Sequence, residues 1–218
     1  MKAVFWDLDD TLLNTLPGRM EALAHAYQHC LGETTDPHAL WREHAGHALE
    51  DLGRRLAGDD WRRFTEAYRD HYYALDLEIA PFEGVRETLD ALAEHGLDQA
   101  VVTSKVSWGA TEELTRTGLL ERFAAVVGFD DSDVHKPEPE PLFIAMERLL
   151  IDEPGAVAYV GDTPADIEAA RAAGCHAIGA AWGSLDPERL QAAGPDLLAT
   201  EPGAVLRYVE QIATGART

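Results

Sequence analysis

After residue 81 the chain alternates short apolar, β-rich runs with helix-length stretches, and this alternation constrains the fold more than any other feature. Residues 99–103, 124–128, 156–161 and 176–181 read as strands. Residues 108–117, 140–150, 164–173 and about 202–212 read as helices. An earlier run, KAVFWDL at residues 2–8, has the same buried-strand character. Strands separated by helices form an open parallel sheet with helices on both faces, so the expected class is α/β. Residues 18–76 break the alternation and read as helices throughout, at 19–31, about 37–45, 48–56 and 61–75. Trp61, Phe64, Tyr68 and Tyr72 recur there at spacings of three and four, which predicts a core stripe. The expected layout is a core of residues 1–16 and 80–218 interrupted by a small all-helical domain at 17–79.

At 218 residues the chain has room for one sizeable core with a smaller inserted module. No stretch approaches the roughly 20 apolar residues of a membrane span. The opening MKAVFWDLDDTL puts acids where a secretory signal needs an apolar run, so the expected location is cytoplasmic. Cys30 and Cys175 are far apart and in no metal-type spacing, which predicts two reduced thiols. A net charge of −21 argues against nucleic acid or an anionic membrane as partner. Only Lys2, Lys105 and Lys136 are lysines, against fifteen arginines. A GC-rich genome and adaptation to high salt are both compatible with that balance. Either way, two of the three lysines fall beside candidate site segments.

Ligands of open α/β sheets bind outside the carboxyl ends of the strands. Strand 2–8 ends in Asp7-Leu8-Asp9-Asp10-Thr11, and strand 99–103 in Thr103-Ser104-Lys105. The segment after Gly128 leads to Lys136-Pro137, and strand 156–161 ends in Gly161-Asp162 with Asp166 close behind. Four carboxylates without a His or Cys cluster form an oxygen-rich set that suits Mg²⁺. Crowded carboxylates repel, and a dication holds them ionised. Lys136 adds a compact positive charge, and Thr103 can hold a phosphoryl oxygen. Phosphoryl transfer needs an in-line nucleophile, charge neutralisation and an acid for the leaving oxygen, and an Asp nucleophile is one recognised route.

These residues resemble the haloacid dehalogenase superfamily, and within it the phosphoglycolate-phosphatase-like branch with a helical cap after the first motif. DLDDTLLNT (7–15) resembles motif one, VVTS (101–104) motif two, Lys136 in HKPEPEPLFIAMERL (135–149) motif three, and GDTPADIEAARAAG (161–174) motif four. The resemblance implies a Rossmann-like core with an inserted helical cap. It implies Asp7 as nucleophile and Asp9 as the acid that protonates the leaving group and then activates water. Mg²⁺ would be held by Asp7, the Asp9 carbonyl and Asp162, with Asp166 ligating it or orienting its water. Thr103 and the Ser104 N–H would grip the phosphoryl oxygens, and Lys136 would bridge them to Asp7. In GHALEDLGRRL (46–56), His47 would face the crevice as a specificity residue, and Lys105 is a second candidate for the substrate's distal part. One position departs from the branch: Asp10 stands where Gly is common. Asp tolerates left-handed backbone angles, so the turn is expected to survive.

The expected partner is a small phosphorylated metabolite, 2-phosphoglycolate being one candidate, acted on by a monomer or homodimer. A β-phosphoglucomutase-type phosphomutase shares every motif but needs a second phosphate site in the cap. NT at 14–15 and TSK at 103–105 also resemble a pyrophosphatase of the same branch. A dehalogenase has no use for Asp9 or for Mg²⁺. A catalytically degenerate regulatory module is the non-enzyme alternative, against which the intact motifs argue.

Overall fold

The computed structural model describes residues 1–44, 48–75 and 78–214. In chain order the elements begin with β1 (Ala3–Trp6), α1 (Leu16–Leu31), α2 (Pro37–His44), α3 (Leu49–Ala57) and α4 (Trp61–Ala74). They continue with α5 (Val85–Glu94), β2 (Asp98–Val102), α6 (Ser107–Arg116), β3 (Ala125–Val127) and α7 (Glu140–Arg148). The last are β4 (Val157–Gly161), α8 (Pro164–Ala173), β5 (His176–Ala180), α9 (Pro187–Ala192), β6 (Leu197–Ala199) and α10 (Gly203–Thr214). The strands form one parallel sheet in the order β3-β2-β1-β4-β5-β6. The chain winds outward in both directions from β1, so the topological switch point lies between β1 and β4.

The period-2 alternation of a strand sorts its side chains between two layers. Val4 and Trp6 of β1 join Val101, Val160 and Ile178 on one face, beneath α5, α6 and α10. Ala3 and Phe5 join Val102, Tyr159 and Ala177 on the other, beneath α7, α8 and α9. Helices therefore cover both faces, as the alternation predicts. Three elements were not read from the sequence. Helix α5 buries Val85, Thr88, Leu89 and Leu92 along one stripe. Helix α9 and edge strand β6 have six and three residues, too few for a periodic signal.

Helices α1–α4 gather round a cluster of their own, in which Met20, Leu23, Ala26, Leu52, Phe64, Tyr68 and Tyr72 are buried. Of the expected aromatic stripe, Phe64, Tyr68 and Tyr72 are core. Trp61 is half-buried beneath the Arg54 and Arg62 guanidiniums. Cys30 and Cys175 are free thiols, half-buried and buried. Among the described residues no helix is long and apolar enough to cross a membrane.

Candidate active site

Strand β1 ends at Trp6, and Asp7 follows with its N–H donated to Val160 O of β4 at 2.8 Å. This bond carries the sheet ladder one residue past the strand and aims Asp7 into the crevice at the switch point. The chain then turns sharply through Asp10 at φ +58°, the left-handed geometry expected of the residue replacing Gly. Asp10 also makes bonds a glycine cannot. Its Oδ1 accepts from Thr15 N at 3.2 Å and Leu16 N at 3.0 Å, and its Oδ2 pairs with Arg19 Nη1 at 2.8 Å. Asp10 thereby satisfies orphan donors at the start of α1 and neutralises a buried guanidinium. The opposite side of the turn is held by β5's exit. Trp182 Nε1 donates to Thr11 O at 2.9 Å, and a Cβ on Gly183 would lie 1.7 Å from Asp10 O. Trp182-Gly183 clamp the loop that carries Asp7 and Asp9.

A cavity of about 90 Å³ opens between the sheet's carboxyl edge and helices α1–α4. Asp7, Asp9, Thr103, Ser104, Lys105, Lys136 and Asp162 all line it. Asp166 sits behind this wall, fully buried. His47 falls outside the described residues. From the helical side Arg19, Trp41, Glu50, Tyr68, Arg69, Tyr72 and Tyr73 complete the lining.

Lys136 Nζ lies 2.6 Å from Asp166 Oδ1 and 3.1 Å from Asp7 Oδ1. The approach to Asp7 is off the hydrogen-bonding direction, and Asp7 Oδ1 is buried without a hydrogen bond. Asp166 is the opposite case. Its Oδ1 accepts from Lys136 and, at 3.0 Å, from Tyr159 Oη; its Oδ2 accepts from Thr163 N at 3.0 Å and Thr163 Oγ1 at 2.6 Å. Three of these donors are its own, and the single Tyr159 proton is shared between Asp166 Oδ1 and Val102 O. The bonds include the capping box that starts α8. Gly161 makes room for this fold-back, because a Cβ there would lie 2.3 Å from Asp166 Cγ.

Asp9 has different company. Its Oδ1 accepts from Thr15 Oγ1 at 2.8 Å and Lys105 Nζ at 2.9 Å. Lys105 reaches Glu113 Oε2 of α6 at 2.5 Å, and Tyr72 Oη of α4 donates to Glu113 Oε1 at 3.0 Å. The sequence made Lys105 a candidate for the substrate's distal part. It is a nearly buried cation joining Asp9 to Glu113. Thr103 gives its N–H to Val127 O at 2.9 Å, and its Oγ1 accepts from Lys105 N at 3.2 Å. The hydroxyl proton at the strand end is therefore left for the cavity. Asp162 Oδ1 accepts from Thr11 Oγ1 at 3.1 Å.

The electrostatics separate the two acids of the first motif. Burial raises Asp7 to about 6, with Asp166 and Asp9 adding to the rise and Lys136 opposing it. Burial would raise Asp9 too, but Lys105 and Arg19 outweigh it and hold the carboxyl near 2. Asp162 is pushed well up by burial, with Asp10, Asp166 and Asp7 adding. The oxygens of Asp7, Asp162 and Asp166 lie within 4.8 Å of one another. Buried, mutually repelling carboxylates with an unbonded Asp7 oxygen are a donor set that fits a hard divalent cation.

Reading the sequence missed Arg19, Glu113, Tyr72 and Tyr159. Tyr159 donates to Val102 O at 2.8 Å and also bonds Lys136 and Asp166. A tyrosine in an otherwise small and aliphatic strand was the available signal, since its hydroxyl needs a buried partner. Nothing local marks Arg19 or Glu113, whose partners arrive through the fold.

The description haloacid dehalogenase-like hydrolase matches residues 4–180. The phosphoglycolate phosphatase of Yersinia pestis is 32% identical over 206 residues, covering 90% of this chain and 88% of its own. Pyrophosphatase PpaX of Halalkalibacterium halodurans is 32% identical over 211 residues, 91% of this chain and 95% of its own. A solved structure described as a predicted phosphoglycolate phosphatase from Haemophilus somnus superposes with a TM-score of 0.85 at 25% identity, covering 95% and 97% of the two chains. The chain belongs to the haloacid dehalogenase-like hydrolase family. Its place in that family is among the phosphatases.

Proposed function

We propose that the protein is a Mg²⁺-dependent phosphatase of a small phosphomonoester, working through an aspartyl-phosphate on Asp7. The observation that carries this reading is the contrast between Asp7 and Asp9. Two residues apart on one turn in the cavity wall, Asp7 has an Oδ1 with no hydrogen bond and only the Lys136 ammonium 3.1 Å away, whereas Asp9 is held by hydrogen bonds from Lys105 and Thr15. Asp7 attacks phosphorus, forming the Asp7–phosphorus bond as the bond to the leaving oxygen breaks. Asp9 gives its proton to that oxygen. Water then attacks phosphorus while Asp9 takes up its proton, and the Asp7–phosphorus bond breaks to release inorganic phosphate. Asp9 rests ionised beside Lys105, so it must gain a proton before the first step. An arriving phosphoryl group puts negative charge beside it and raises its proton affinity.

Thr103 and the Ser104 N–H orient the phosphoryl oxygens, and Lys136 offsets charge that develops between them and Asp7. Asp7, the Asp9 carbonyl and Asp162 would hold the cation, and Asp166 would orient its water while anchoring Lys136. Bound there, Mg²⁺ supplies charge neutralisation for the phosphoryl group and keeps the carboxylates ionised. Residues 17–79 act as a cap that closes this cavity from the helical side. Beryllofluoride, an acyl-phosphate mimic, tests the nucleophile. The expected result is one adduct on Asp7 in a crystal structure; an adduct elsewhere refutes the assignment.

A further inference from the structure

The cavity's cations are Arg19, Arg69, Lys105 and Lys136 among the described residues, and each is already taken. Arg19 pairs with Asp10, and Arg69 with Glu50. Lys105 is shared by Asp9 and Glu113, and Lys136 by Asp7 and Asp166. Four carboxylates share the wall with these four cations, Asp7, Asp9, Glu50 and Asp162, and three more, Asp10, Glu113 and Asp166, pair with the same cations from behind it, so seven carboxylates face four cations. A bound divalent cation leaves the negative balance in place once a phosphoryl dianion has entered. The wall facing away from the sheet is built from Trp41, Tyr68, Tyr72 and Tyr73, with Arg19 and Arg69 each held by a carboxylate, Asp10 and Glu50. Aromatic faces and hydroxyls beside these neutralised pairs suit a leaving group that stacks and hydrogen-bonds.

Resting on the phosphatase reading, we propose that the substrate's leaving group carries no negative charge. It is the hydroxylated remainder of a phosphomonoester, and a second carboxylate or phosphate on the substrate is selected against. For an anionic leaving group to take over Arg69 or Lys105, Glu50 or Glu113 would have to be abandoned. The Glu113 side chain is 1% exposed, so the exchange strands a buried carboxylate. A mutase's second phosphate meets the same obstacle, and so does the phosphate leaving group of pyrophosphate.

Three monoesters of similar size and different charge test this: 2-hydroxyethyl phosphate, phosphoethanolamine and 2-phosphoglycolate, with pyrophosphate as a fourth probe. With Mg²⁺-loaded enzyme, kcat/KM for 2-hydroxyethyl phosphate is expected to exceed that for 2-phosphoglycolate and pyrophosphate by about tenfold or more, as one unneutralised charge in a partly buried site implies. Phosphoethanolamine is expected to fall on the favoured side. Equal values, or a preference for either anionic probe, overturn the proposal and leave the phosphatase reading standing. Turnover of none of the four and of no other phosphomonoester overturns both. Glu50→Gln supplies a second test because it frees Arg69. It is expected to raise the ratio of 2-phosphoglycolate to 2-hydroxyethyl phosphate turnover by about tenfold. An unchanged ratio in a folded variant counts against the charge argument.

Discussion

Replacing Lys105 by Met keeps most of the side chain's volume and removes one buried charge. The Lys105 and Glu113 side chains are 11% and 1% exposed. Met therefore leaves Glu113 with only the Tyr72 hydroxyl, and Asp9 loses one of its two cations. Stranding one partner of such a pair costs about 3–5 kcal/mol. For 218 residues this is a Tm fall of roughly 6–20 °C. The pH dependence follows from Glu113, whose carboxyl burial raises above its ordinary 4.5 while Lys105 opposes the rise. Without Lys105 it climbs further. A raised carboxyl binds its proton more tightly when folded, so the variant's deficit is small near pH 4.5 and grows as pH rises above it. Urea unfolding of wild type, Lys105→Met, Glu113→Gln and the double variant between pH 5 and 8 measures the coupling as a cycle. The double variant should recover most of the stability lost by Lys105→Met. A single-variant deficit under about 1 kcal/mol at pH 8 would refute the reasoning, as would a double variant no more stable than Lys105→Met.

Asp7→Asn should abolish turnover yet stabilise the metal-free protein increasingly as pH rises from about 4 to 6, and by a constant amount above that. Asp7 is raised from 3.8 to about 6, so its ionisation destabilises the fold by about 3 kcal/mol. Melting curves in chelator should show roughly half of the advantage at pH 5 and all of it at pH 8. Adding Mg²⁺ to wild type at pH 8 should raise Tm in a concentration-dependent way and restore hydrolysis of p-nitrophenyl phosphate; turnover persisting in excess chelator refutes the metal assignment. Tyr159→Phe removes the hydroxyl shared by Lys136, Asp166 and Val102 O. It should cost about 1–3 kcal/mol by chemical denaturation, with a drop in kcat larger than any change in KM.

What could be read from the sequence was what local pattern encodes. Apolar runs with helices between them implied the parallel sheet, and the strand ends put Asp7, Thr103, Lys136 and Asp162 in one crevice. Thr163 and Asp166 even stand at capping-box spacing, which placed Asp166 at a helix start. The second use of Asp166, holding Lys136 and Tyr159, depends on β4 and the Lys136 loop meeting in space. Lys105 shows the same limit. Its partners Asp9 and Glu113 lie on separate elements, and only the closed arrangement of β1, β2 and α6 makes a solvated-looking lysine a buried one. Helix α5 was different: its stripe of Val85, Leu89 and Leu92 was visible and went unread.

The Asp10–Arg19 pair carries an implication for how such a cavity could change its preferences. Arg19 lies over Trp41, 4.2 Å from the ring centroid, and lines the cavity; Asp10 is what occupies its charge. Asp10→Gly would keep the left-handed turn and leave the Arg19 guanidinium without its 2.8 Å partner. The immediate penalty would fall on the first turn of α1, and the immediate gain would be affinity for acids. The residue that turns the chain at φ +58° is, in this chain, also the one that neutralises a cavity-lining arginine.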